Sequence, residues 1–203
     1  MNRKGRPLRP EDMASRSKTM DEEEMIRLKS MHLAPYIQLA TALIGKRRRS
    51  GGNMFRHQID TFGILMDYGY IDSVLLKAAV IHDLVEDVPD FDRERILEID
   101  EESQDVYQLV LEVTRRPVES KETFLSRILE YGSPSALVLK TADRISNMIS
   151  LGYTTDISFI RRYADETERF VFPIAEKANK TMLAELVELV TTRREFLARR
   201  FEI

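Results

Sequence analysis

Apolar residues recur at three- and four-residue intervals along nearly the whole chain, and runs that alternate apolar with polar are scarce. That pattern predicts helices rather than strands. Residues 21–29 open with four acids and close with Arg27 and Lys29, the charge order that a helix dipole favours. Pro35 suits a first helical turn, and Tyr36, Leu39, Ala40 and Leu43 follow at helical spacing before Gly45, the basic run Lys46-Arg47-Arg48-Arg49 and a break at Ser50-Gly51-Gly52. Residues 55–68 form a second core helix through Ile59, Phe62, Leu65 and Met66. Residues 72–87 are apolar through Val74-Leu75-Leu76 and Ala78-Ala79-Val80-Ile81, the signature of a helix central to a bundle, and Pro89 stops it. Shorter helices are expected at 92–99, 102–114 and 121–131. Residues 135–150 turn Ala136, Leu137, Leu139, Ala142, Ile145, Met148 and Ile149 inward, and two long amphipathic helices, 157–179 and 181–201, close the chain. The prediction is an all-α fold, a compact multi-helix bundle of about nine or ten helices.

Composition narrows the class. With 203 residues there is room for one well-buried domain, expected at 21–203 behind a basic tail at 1–20 that carries Arg3, Lys4, Arg6, Arg9 and two prolines. No apolar segment follows that tail, so it is not read as a secretory signal, and no apolar run approaches the length of a membrane span. A net charge of −3 gives no global reason to bind nucleic acid or a membrane. The absence of cysteine excludes disulfides, thiolate metal sites and cysteine nucleophiles, and it fits a cytoplasmic protein. Oligomeric state is not encoded in any of these features.

The candidate chemistry begins where the apolar central helix ends, in His82-Asp83-Leu84-Val85-Glu86-Asp87. Asp83, Glu86 and Asp87 stand at i, i+3 and i+4, so their carboxylates share a face. Like charges packed there repel unless a cation neutralises them or a proton is shared, and at a helix C-terminus they also oppose the dipole. A solvated helix end would account for a lone acidic run, but two further clusters match this one. The first is His57 on the preceding helix; of the three histidines only His32 is left over, and it reads as surface or packing. The second is Lys140, Asp143 and Asn147 at i, i+3 and i+7, a polar stripe on an apolar helix that needs partners once buried. His57, His82, Asp83 and Asp143 thus offer two imidazoles and two carboxylates from three helices to one cation. Mixed nitrogen and oxygen donors suit Mn²⁺, Fe²⁺, Co²⁺ or Zn²⁺ better than Ca²⁺, and such a cation activates water near neutral pH.

These motifs resemble a known family. His57, then His82-Asp83, then Asp143 follow the H…HD…D order of HD-superfamily phosphohydrolases. More narrowly, Arg48-Arg49-Ser50-Gly51, His82-Asp83-x-x-Glu86-Asp87 and Lys140-x-Ala142-Asp143-Arg144-x-x-Asn147 resemble the hydrolase domain of the RelA/SpoT proteins, which make and destroy the alarmones ppGpp and pppGpp. Glu166-Thr167 and Phe172-Pro173-Ile174-Ala175 extend the likeness. It implies a stand-alone HD-domain hydrolase that uses Mn²⁺ on His57, His82, Asp83 and Asp143. In this reading Glu86 and Asp87 are the catalytic acids that handle water and the leaving-group proton. Arg48, Arg49 and Ser50 hold guanine and phosphates, with Lys140, Arg144 and Asn147 near ribose or pyrophosphate. The implied reaction removes pyrophosphate from the 3′ position of (p)ppGpp to leave GDP or GTP.

The chain departs from the family pattern where Gly52-Asn53-Met54 replaces a segment that usually holds an aromatic residue, at Val88, and at Thr114-Arg115 in place of Thr-Lys. Two alternatives therefore accompany the alarmone hydrolase: an HD phosphohydrolase of another nucleotide or phosphorylated cofactor such as NADPH, and a non-catalytic alarmone-binding protein. Intact Glu86 and Asp87 count against the last.

Overall fold

Caps fix where the helices of this chain begin. A computed structural model of the protein describes residues 19–201; the predicted basic tail lies, through residue 18, outside them. Asp21 and Glu24 close a reciprocal capping box at 2.8 and 2.9 Å over α1 (Glu22–Ser30). Pro35 enters the first turn of α2 (Ala34–Ala40), which tightens into a 3₁₀ turn at Thr41–Leu43. Asn53, Asp72 and Ser133 cap α3 (Met54–Asp67), α4 (Ser73–Ile81) and α9 (Pro134–Ser150). Between the last two lie α5 (Leu84–Asp87), α6 (Glu94–Leu97), α7 (Ser103–Val113) and α8 (Lys121–Tyr131). After a 3₁₀ turn at Leu151–Tyr153, the chain ends in α10 (Ile157–Glu166), a π turn at Thr167–Val171, α11 (Phe172–Ala178) and α12 (Lys180–Phe201). Among the described residues there is no β-strand, only an isolated bridge between Arg47 and Asn53.

The all-α prediction is met, and each of the predicted helices is present, but two are interrupted. The 72–87 helix breaks at His82-Asp83. In a continuing helix the carbonyl of Ala79 would accept from the N–H of Asp83. Here it lies 2.8 Å from His82 Nδ1, and the Asp83 N–H donates instead to Gln58 Oε1 at 3.3 Å. The 157–179 helix widens into the π turn just ahead of Pro173, which has no N–H to offer the carbonyl four residues back.

As its apolar run predicts, α4 lies at the centre: Leu75 through Ile81 are all buried. It packs against α2, α3 and α7, while α9 packs against α3, α11 and α12. The contact of α3 with both α4 and α9 brings the three candidate clusters together. No helix among the described residues is long and apolar enough to cross a membrane.

Candidate metal and phosphate site

Among the predicted donors His57, His82 and Asp83 form one close group, and Asp143 stands beside it against the two histidines. His57 comes from α3, His82 and Asp83 from the break after α4, and Asp143 from α9. His57 Nε2 lies 3.0 Å from Asp143 Oδ1 and 3.5 Å from Asp83 Oδ2. His82 Nε2 lies 3.3 Å from Asp83 Oδ2 and 3.9 Å from Asp143 Oδ1. His57, His82 and Asp83 each present a ligand atom within 4.8 Å of the others, a group able to hold a divalent metal.

Partners on the far side of each ring orient the two imidazoles. A carbonyl only accepts, so His82 Nδ1–H donates to Ala79 O and turns Nε2 toward the cluster. His57 Nδ1 meets Ser146 Oγ at 2.8 Å, which likewise turns Nε2 inward. His82 Nε2 is buried and makes no hydrogen bond. A buried ring nitrogen with no hydrogen-bond partner, beside two carboxylates, fits a positive charge, whether a proton or a metal cation.

The electrostatics agree. Burial lowers the pKa of His57 despite Asp143. Burial also opposes charge on His82, but Asp83 and Asp143 outweigh it and hold that ring up to about 9. Burial would raise Asp143, yet Lys140, 2.7 Å away, and the two histidines keep it well below the usual carboxylate range. Without a metal, the cluster is a place where positive charge is stabilised.

Beyond the donors, Gln58 holds Asp83 from both sides, donating to its Oδ2 at 3.0 Å and accepting its N–H. Asn147 donates to the Asp143 carboxylate and carbonyl. Arg48 reaches Asn147 Oδ1 at 2.7 Å and Ser150 Oγ at 3.0 Å. Arg49 pairs with Asp156 at 2.5 Å and covers the Phe159 ring at 4.5 Å. Lys46 pairs with Asp87 at 2.6 Å, and Glu86 accepts the Arg115 N–H at 3.1 Å. Arg144 is buried: it pairs with Glu166 at 2.8 Å, donates to Thr167 Oγ1 at 3.1 Å and stacks on Tyr163 at 4.2 Å.

A cavity of about 430 Å³ opens over the donors. It is lined by His57, Asp83 and Asp143, by all of Arg48, Arg49, Ser50, Glu86, Asp87, Lys140, Arg144 and Asn147, and by Lys46, Arg47, Arg115, Lys121, Phe124, Phe159 and Tyr163. Eight cationic side chains face four carboxylates there, and Asp156 and Glu166, paired with lining cations from behind the wall, offset two more, which leaves a positive surplus in a chain of net charge −3. Sequence reasoning missed Lys121, Phe159 and Tyr163, whose segments carry no local motif. The departures at Met54 and Arg115 both stand on the cavity wall. His32 is an exposed side chain, 4.0 Å from Asp100.

No protein-family model and no curated protein sequence matches the chain. A solved structure does share the fold. It is described as a metazoan ortholog of SpoT that hydrolyzes ppGpp and plays a role in starvation responses, and it aligns with a TM-score of 0.63 over 87% of this chain and 98% of that one. At 22% identity the likeness shows a shared all-helical fold.

Proposed function

We propose that this protein is a divalent-cation-dependent phosphohydrolase that removes pyrophosphate from the 3′ position of ppGpp and pppGpp. The observation that carries the reading is the buried His82 Nε2, without a partner, among His57, Asp83 and Asp143 on the floor of a cavity with surplus positive charge. The H…HD…D order, the RelA/SpoT-like motifs and the fold shared with a ppGpp-hydrolysing protein point the same way.

His57, His82, Asp83 and Asp143 would hold the cation, with Mn²⁺ suited to two nitrogen and two oxygen donors. A cation bound there supplies Lewis acidity, polarising a phosphoryl oxygen and making water more acidic. Glu86, oriented by the Arg115 N–H, takes a proton from the attacking water. The bond from phosphorus to the 3′ oxygen breaks as the new P–OH bond forms, and the proton taken up by Glu86 is passed through Asp87 to the leaving oxygen. Arg48, Arg49, Ser50 and Lys140 bind the charged ends of the substrate, and Asn147 stands beside them. Arg144, buried on Glu166, acts from beneath by fixing Tyr163 in the cavity wall.

Met54, in the wall where the family usually carries an aromatic residue, supports a second reading in which another phosphorylated nucleotide is the substrate. Purified protein with Mn²⁺ should release pyrophosphate from ppGpp and leave GTP, dNTPs and NADPH intact. Orthophosphate from NADPH with ppGpp untouched would establish the second reading instead. Tight ppGpp binding without turnover would make the protein a binding module.

A further inference from the structure

The polar stripe of α9 has a second half. Ser146 and Ser150 stand with Asp143 and Asn147 at i, i+3, i+4 and i+7, all on the side facing α3 and the basic loop. Arg48 spans two turns of that stripe. One arm of its guanidinium donates to Asn147 Oδ1 at 2.7 Å, and the other donates to Ser150 Oγ at 3.0 Å. Ser150 in turn donates to the carbonyl of Ser146 at 2.9 Å.

The orientation of the Asn147 amide follows from its partners. A guanidinium has only donors, so Oδ1 must face Arg48. A carbonyl and an ionised carboxylate have only acceptors, so the NH₂ must face Asp143, and it donates to both the carbonyl at 2.9 Å and Oδ1. Both ends of Asn147 are thereby occupied within the protein. Asp143 Oδ1 is the atom that also meets His57 Nε2.

We infer that Asn147 is a positioning residue that couples Arg48, in the basic loop, to Asp143, in the metal cluster. The inference rests on the metal reading above. Arg48 holds the amide, the amide holds the Asp143 carboxylate, and the carboxylate is thereby set for the cation. Coupling of this kind is reciprocal: a cation that fixes Asp143 also pre-orders Arg48, so a polyanion meets a guanidinium already in place.

A double-mutant cycle on Mn²⁺ affinity, read by calorimetry without substrate, tests this. Asn147→Ala should weaken Mn²⁺ about 10- to 100-fold, the usual cost of losing an outer-shell partner. Arg48→Lys keeps the charge but not the fork, and should weaken Mn²⁺ several-fold. That loss should vanish when Asn147 is already alanine. Circular dichroism and thermal melting would check that each variant keeps its helices. If Arg48→Lys leaves Mn²⁺ affinity unchanged, or if its effect persists in the Asn147→Ala background, the coupling is overturned while the metal site stands. Wild-type protein that binds no Mn²⁺ would overturn both.

Discussion

Lys46 Nζ lies 2.6 Å from the carboxylate of Asp87 and 2.8 Å from its backbone carbonyl, so one ammonium neutralises a proposed catalytic acid and caps the helix that carries it. The same residue's carbonyl accepts the Met54 N–H at 2.9 Å at the start of α3. Basic loop, acid turn and histidine helix therefore share one anchor. Lys46→Met should lower kcat by roughly 10- to 100-fold, the scale of a small misplacement of reacting groups, and Lys46→Arg should recover most of it. Steady-state kinetics on ppGpp checks this; equal losses in both variants would show that the contact does not position Asp87.

The donor set and the acid pair separate by what their removal leaves behind. Asp83→Ala should abolish Mn²⁺ binding and turnover together. Glu86→Ala should bind Mn²⁺ as wild type does and lose about 10²–10⁴ in kcat. Calorimetry beside activity resolves the two, and full activity in Asp83→Ala would sink the metal assignment.

Gly51 adopts φ of +95°, and a Cβ there would lie 3.3 Å from the Cβ of Tyr153. Gly51→Ala should cost about 1–2 kcal/mol for the left-handed backbone alone. Because Arg48 to Ser50 enter that turn, KM for ppGpp should rise as well. Unchanged urea midpoint and KM would mean that the turn tolerates another conformation.

Acid stability should depend on a second charge cluster, none of whose residues lines the cavity. Lys77, buried on α4, lies 2.8 Å from Asp100 and 2.5 Å from Glu102. Burial would raise Asp100, but Lys77 and Tyr36 together hold it below its ordinary value; Lys77 first, then Ser73, lower Glu102. Depressed carboxylate pKa values stabilise the fold fully above the unfolded values near about 4 and lose that contribution as pH falls through the folded ones. Lys77→Met should therefore destabilise the protein by about 3 kcal/mol at pH 7 and flatten its decline below about pH 4. Urea midpoints at neutral and acid pH measure both; parallel pH curves for variant and wild type would contradict the assignment.

Much of this was legible in the chain. Helical spacing located the elements because α4 and α9 each bury a run of apolar residues, and His82 and the acids stood out as polar interruptions at its end or within it. The break at His82-Asp83 was not legible, since it depends on Gln58, 25 residues away from Asp83. Lys77 passed as one polar residue in an apolar run because its acids come from the α6–α7 turn. The resemblance directed Arg144 toward substrate; its burial on Glu166 and Tyr163 depends on how α10 packs, which no local pattern encodes. Ser146 and Ser150 were legible in principle, as the same stripe that marked Asp143 and Asn147.

His57 and Asp143 meet across 86 residues of chain. A cation bridging them would close that long loop and act as a removable crosslink. Loading it would stabilise the folded state, which alone assembles the donors, and stripping it would remove that stabilisation. The lifetime of the folded protein, as a protease would sample it, then follows the residence time of the ion. Metal supply would govern how long each molecule lasts as well as how fast it works.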